Sequence, residues 1–317
     1  MDEHYDTQKA ADQLQSITKE RWATISDIKG QAGNDRVNQL GALEWVKFDH
    51  LIIAKNGRGL WTLHAQDLEG VPDEAYICVQ GVIGNKLLPP VSRNRGNMKA
   101  QRHMRQAITL TGLGAETFDL AIADIEKIYL LFFDGIPEGQ LVPWEPSVFG
   151  TYTSLDAHTK YFMHRLVSGG GNEVTFAKEV DPEGTLPALC DQDYTHTTDN
   201  IVDYLTRVEE PDGTIRYKTT NPSSFKVGNI VKCTLVFSCY PTKDKKFKMS
   251  LSLKALTLLS CEVRNASAIL WMRSTYPNFA SIRAQQIGRP VKQKPTYTNN
   301  EGVVETQQKL SKMNLDS

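Results

Sequence analysis

Between Asn229 and Ser260 the chain reads NIVKCTLVFSCYPTKDKKFKMSLSLKALTLLS, two runs in which apolar and polar residues alternate. In the first, Val231, Cys233, Leu235, Phe237 and Cys239 share one face, and Lys232, Thr234, Val236, Ser238 and Tyr240 the other. In the second, Phe247, Met249, Leu251 and Leu253 alternate with Lys248, Ser250, Ser252 and Lys254. A period of two sustained this long predicts paired, half-buried strands, joined by a turn that carries Lys243, Lys245 and Lys246. The phase slips at Ala255, after which Leu256 and Leu258 stand at polar positions. One extra residue has that effect, so a β-bulge or the start of a strand buried on both faces is expected there.

Elsewhere the pattern predicts a mixture of elements. Ala11, Leu14, Ile17, Trp22 and Ile25 follow helical spacing, and Gly30, Gly33 and Asn34 break it, giving a helical N-terminal arm over residues 1–40. From Trp45 to Gly84, EWVKFDHLIIAK, GLWTLHAQ and AYICVQGVIG are short apolar runs punctuated by NGRG and EGVPDE, the form of strands joined by turns. The most apolar stretch, FDLAIADIEKIYLLFFDGIPEG, is expected to make a short helix feeding a buried strand, ended by Gly135 and Pro137. Ser154 is placed to cap a helix over LDAHTKYFMHRLV, with Leu155, Phe162 and Leu166 on one face and Gly169, Gly170 and Gly171 ending it. A second helix is expected from Thr197 or Thr198, with Asp199 in its first turn and Ile201, Val202, Leu205 and Val208 buried. EEPDGTIRYKTT then supplies a Pro-Asp-Gly turn into a strand.

The expected organisation is therefore an arm at 1–40, a β-rich region at 41–150 with a basic loop at 92–106, a β domain with two helices at 151–282, and a flexible tail at 283–317, where Gln, Asn, Lys and Pro replace aromatics. The fold class is α+β and β-rich: an antiparallel barrel or sandwich with a few flanking helices. Gly228, opening a long curved hairpin, suits an oligonucleotide-binding (OB-like) barrel whose strand face binds single strands. A plain antiparallel sandwich gives the same local pattern.

Charge changes this picture more than composition does. The formal net charge is −1. Yet Ser92–Gln106 carries Arg93, Arg95, Lys99, Arg102 and Arg105 with no acid, Ala107–Arg216 carries 19 Asp and Glu against 6 Lys and Arg, and Tyr217–Ala255 carries 8 Lys against Asp244 alone. Segregation of this kind points to a surface that faces a polyanion, with folding into an evenly mixed surface as the alternative. No run approaches the roughly 18 apolar residues of a spanning helix, and the polar, acidic N-terminus is unlike a signal peptide, so an intracellular protein, nuclear or cytoplasmic and without a membrane, is expected. Five cysteines, odd in number and without a C-x-x-C pair, favour reduced, buried thiols over disulfides or zinc.

Candidate chemistry is sparse. The seven histidines make no tight cluster. His158 and His164, six apart, point in different directions on a helix, so no metal site is expected. GGGNEV at 169–174 follows a helix and lacks the Lys-Ser/Thr pair of a phosphate loop, which makes it a helix stop. Cys190 has His196 nearby in sequence but lies among Asp191 and Asp193, which raise a thiol's pKa, the wrong direction for a nucleophile. Arg58 in NGRGLW reads as a hairpin turn with at most an accessory phosphate contact. No catalytic constellation and no cofactor are expected.

The hairpin's outer face is the strongest candidate. Lys232, Tyr240, Lys248 and Lys254, with Lys243, Lys245 and Lys246 at the rim, form a lysine-lined, hydroxyl-rich surface of the kind that single-stranded nucleic acid binders present. Lysines on an edge strand also oppose aggregation, which is the competing explanation. NPSSFKVGNIVKCTLVFSCYPTKDKKFKMSLSLKALTLL, residues 221–259, resembles a pattern in a large family of uncharacterised fungal (basidiomycete-type) proteins, and YTHTTDNIVDYLTR is similar to the helix that precedes it there. The resemblance implies association with mobile elements and a nucleic-acid ligand, and assigns no activity or site residue. The expected function is non-enzymatic binding of single-stranded DNA or RNA on the hairpin face, aided by Arg93, Arg95, Lys99, Arg102 and Arg105. The alternative is a structural or adaptor protein that docks a protein partner on its acidic 107–216 segment.

Overall fold

The structure, a computed structural model, describes residues 1, 3–27, 39–41, 48–57, 59–66, 72–91, 103–168 and 172–275. Residues Met1–Leu270 make one compact unit. Trp271–Ser317 make a second, described only at 271–275, the last turn of a helix. The expected tail at 283–317 and Arg58 lie outside the described residues.

After α1 (Thr7–Asp27) come β1 (Leu51–Lys55), β2 (Trp61–Gln66), β3 (Pro72–Glu74), β4 (Ile77–Leu87), β5 (Arg105–Thr111) and α2 (Glu116–Gly135). β6 (Ser147–Phe149), β7 (Tyr152–Lys160), β8 (Met163–His164), α3 (Arg165–Ser168), α4 (Thr185–Leu189) and β9 (Tyr194–Thr195) follow. β10 (Asp203–Glu209), β11 (Ile215–Thr219), β12 (Ile230–Pro241), β13 (Phe247–Ser260) and α5 (Glu262–Thr275) complete the described chain. Eleven strands form one sheet in the order β11-β10-β13-β12-β4-β5-β7-β6, with β2 beside β12, and β1 and β3 beside β2. The fold is α+β and sandwich-like. The sheet is mixed, because β10 joins β13 in parallel. Strands from 41–150 and from 151–282 are hydrogen-bonded to each other, β4 to β12 and β5 to β7.

The β12–β13 hairpin is the spine of this sheet. Its register runs from Ile230↔Ser260 to Pro241↔Phe247 and skips Lys254 between Leu253 and Ala255, so the bulge falls where the sequence phase slips. Val231, Cys233, Leu235, Phe237, Cys239 and Leu253 are all fully buried, and Met249 and Leu251 nearly so. They pack in the same core as Phe118, Ile122, Ile125, Ile128 and Phe132 of α2. Each large apolar side chain so buried contributes about 1.5–3 kcal/mol. The opposite face is covered at the Ile230 end by α1, whose Ala10, Ala11 and Leu14 pack with Val82, Ile230 and Val263. Thr18 Oγ1 donates to Gln80 Oε1 (2.8 Å) there. Gly228 has φ +89°, and a Cβ on it would stand 2.6 Å from the Tyr5 ring, whose hydroxyl donates to the Gly228 carbonyl (2.8 Å). Only glycine fits that turn. At the other edge the sheet curls until Thr159 Oγ1 of β7 donates to the Leu253 carbonyl of β13 (2.5 Å). Among the described residues no strand ladder joins β7 to β13, so the curl stops short of a closed barrel.

Three expectations are corrected. The helix expected from Ser154 is strand β7, then β8, with only the single turn α3 helical at its end: Leu155 and Ala157 are buried, Asp156 and Lys160 exposed, and Ser154 bonds Ser147 across the strand pair instead of capping. The helix expected from Thr197 is one 3-10 turn, Thr198–Asn200, followed by β10. Thr197 does cap that turn, in a reciprocal box with Asn200, but the β-branched and aromatic run that follows pairs with β11 and β13. The apolar stretch after Ala115 is a single helix with no strand, because Phe118, Ile122, Ile125, Ile128 and Phe132 recur at three- and four-residue spacing and all face the sheet.

Candidate nucleic-acid interface

The distal half of the hairpin's outer face, away from α1, floors a cleft of about 910 Å³. Its floor is a ladder of cross-strand pairs, Val236↔Ser252, Ser238↔Ser250 and Tyr240↔Lys248, and the bulged Lys254 extends it. Three of the four expected hydroxyls therefore lie in the cleft. The fourth, on Thr234, lies beside the Cys78 thiol (3.7 Å) and outside the lining.

One wall comes from the adjoining edge of the curled sheet. Arg105 of β5 lies opposite Lys160 of β7, and Ala107 opposite His158. Arg105, His158 and Lys160 thus stand on neighbouring positions lining the cleft. Like charges directly opposed in a strand pair repel, and no ion pair joins Arg105 or Lys160 to a carboxylate among the described residues. The positive field is visible in His158, whose pKa is held below its ordinary range by burial first, then by Arg105 and Lys160, against a smaller opposing pull from Asp156.

A second wall is the segment that follows α2. Val142 N donates to the Phe247 carbonyl (2.8 Å) and Phe247 N to the Gln140 carbonyl (2.6 Å), stitching it to the base of the hairpin turn. With Leu141 anchored in the core, Trp144 is carried into the cleft with Tyr240. The end near the bulge is closed by the 3-10 turn. Lys254 Nζ donates to the Asp199 carbonyl (3.1 Å), and Asn200 Nδ2 donates to the Lys160 carbonyl (3.0 Å). Glu74, Glu145, Asp156 and Asp199 also line the cleft, so its described cations and carboxylates balance in number. Asp156 already accepts from Thr109 Oγ1 (2.6 Å).

Of the residues predicted from sequence, Tyr240, Lys248, Lys254 and Arg105 are brought together. Lys243, Lys245 and Lys246 are exposed on the turn beyond the Tyr240↔Lys248 pair, with Lys245 at φ +59°. Lys232 is not part of the cleft. It lies in the half of the face near α1, between Gln80 and Thr257, with its ammonium 5.1 Å from the centre of the Tyr217 ring. Arg93, Arg95, Lys99 and Arg102 lie outside the described residues. Trp144, His158 and Lys160 were not singled out for this surface from sequence. The alternation Asp156, His158, Lys160 was the available signal for two of them, hidden by the helix reading. Trp144 sits in LVPWEPSV, which has no period to read.

Cys190 and His196 do not form a nucleophile pair. The Cys190 thiol lies against the Tyr194 carbonyl (3.4 Å) and is pushed up by burial, with Glu173 and Asp191 adding to it and Arg165 opposing. His196 stacks on Phe176 (3.9 Å between centres) and its Nδ1 is 2.8 Å from the Tyr161 carbonyl. Among the described residues no three His, Cys, Asp or Glu side chains are grouped to hold a metal ion, and no helix is long and apolar enough to cross a membrane.

No family model and no curated protein matches the chain. Among solved structures it is similar to the single-stranded DNA-binding protein from bacteriophage Enc34, at 10% identity, covering 66% of this chain and 88% of that one, with a TM-score of 0.24. A TM-score that low does not establish a shared fold.

Proposed function

We propose that the cleft binds a single-stranded nucleic acid. One observation carries the reading: Arg105, Lys160 and Lys248, which have no carboxylate partner among the described residues, line one cleft with the rings of Trp144 and Tyr240 over a floor of serines. Ammonium and guanidinium groups pair with phosphates, hydroxyls donate to phosphate oxygens, and rings stack on bases that a duplex would keep stacked on each other. The carboxylates fit the same ligand, since they accept from base amino groups. They also repel phosphate, so the backbone is confined to the cationic wall and the lysine turn.

The test is fluorescence anisotropy of a labelled single-stranded oligonucleotide titrated with the protein across salt concentrations. Affinity is expected to fall linearly on a log–log plot as counterions are released, with a slope of about −0.7 per phosphate contact. Folded protein that fails to bind at low salt sinks the proposal.

A further inference from the structure

Beside the cleft lies a second hollow. Leu87, Leu88, Pro90, Val91, Met104 and Tyr161 wall a recess of about 250 Å³ with His103 at one side, and Arg105 lines both this recess and the cleft. The recess exists because β4 runs out through Leu87 into a proline pair, while the chain returns through Met104 into β5. Tyr161 N donates to the Met104 carbonyl (3.1 Å), which ties the return to the end of β7. The Tyr161 ring is fully buried among Phe162 and Phe176, so the wall it makes is rigid.

We infer that this recess takes one unstacked nucleobase of the strand held in the cleft, with Arg105 on the phosphate where the strand passes from one to the other. The inference rests on the nucleic-acid reading above. Three features select a base as the occupant. The volume lies below the roughly 300–1,000 Å³ of sites for drug-sized ligands, which suits a single ring system. The walls are apolar apart from His103, an aromatic ring that can itself stack, and the position is continuous with the cleft through the cation Arg105.

The experiment is an abasic scan. A single-stranded DNA just long enough to saturate the site, so that its register is fixed, is synthesised with one base removed at each position in turn. Affinities are then measured for the parent, for Val91→Trp and for Leu87→Trp, which fill the recess from positions that do not themselves line the cleft. Leu87 is 41% exposed, so the second variant keeps the test alive if the first does not fold. In the parent, one terminal position is expected to lose about 5- to 100-fold in affinity when its base is removed, the size of one stacked base. In a filled variant that loss should vanish, while losses at other positions and the salt slope stay as in the parent. Salt-dependent binding with the same abasic profile in parent and filled variants overturns the recess alone. Absence of binding by the folded parent overturns the recess together with the reading it rests on.

Discussion

Tyr240 and Trp144 reach the cleft by different routes, one by strand alternation and the other by a loop stitched to Phe247, and both rings are placed to stack. Tyr240→Ala and Trp144→Ala are each expected to weaken oligonucleotide binding by about 5- to 100-fold. Tyr240, 40% exposed, should do so with little change in melting temperature, whereas Trp144, packed on the core, should lower both. Isothermal titration and thermal melting separate the two effects. The two shifted histidines make a second prediction at this scale. Burial holds His158 and His196 below their ordinary pKa of 6.5, with Arg105 and Lys160 adding at His158 and the Tyr161 carbonyl partly opposing at His196. The unfolded chain then takes up these protons before the folded one does. Stability should be full above 6.5 and decline as pH falls from there through the folded values. His158→Gln should flatten part of that decline in melts at stepped pH. An unchanged slope would mean that His158 titrates alike in both states.

The hairpin separates two kinds of residue cleanly. Phe237→Ala and Leu251→Ala remove buried side chains from the shared core and are expected to cost about 2–5 kcal/mol by chemical denaturation. Replacing Lys243, Lys245 and Lys246 with Gln alters exposed positions only and should cost under about 0.5 kcal/mol. If these lysines meet phosphate, the triple variant binds more weakly and with a shallower salt slope. Equal binding at every salt concentration would assign them to edge protection. This element was also the most legible one, because a half-buried strand writes its faces directly into alternate positions, down to the bulge at Lys254. The strands β7 and β10 were misread because Ser154 and Thr197 are good helix caps in isolation. Their fate was decided by pairing with β5, β11 and β13, partners far away in sequence that no local propensity reports. Lys232 shows the same limit within a correct strand: its face was read correctly, yet it lies in the α1 half of the hairpin, half-buried beside Tyr217 and outside the cleft.

At the scale of the whole molecule, charge that is segregated along the chain is mixed where the described residues form the cleft. The acidic 107–216 segment contributes Glu145, Asp156 and Asp199 to the cleft, but it also contributes Lys160 of β7. The basic segment before it ends in Arg105, which faces Lys160 across the β5–β7 pair. Curling of the sheet is what joins these to the hairpin, and the cleft is therefore a property of topology that the linear charge pattern announced only in outline. The most direct measurement is photocrosslinking: a single-stranded oligonucleotide with photoreactive thymines, irradiated in complex with the intact protein and mapped by peptide mass spectrometry. Crosslinks are expected at Trp144 and Tyr240 and in the peptides bearing Lys248 and Arg105, competed away by unlabelled single strands. Crosslinks from an equally tight complex that fall on α2 or on the Lys232 half of the hairpin, and leave the cleft peptides unmodified, would contradict a strand bound in this cleft.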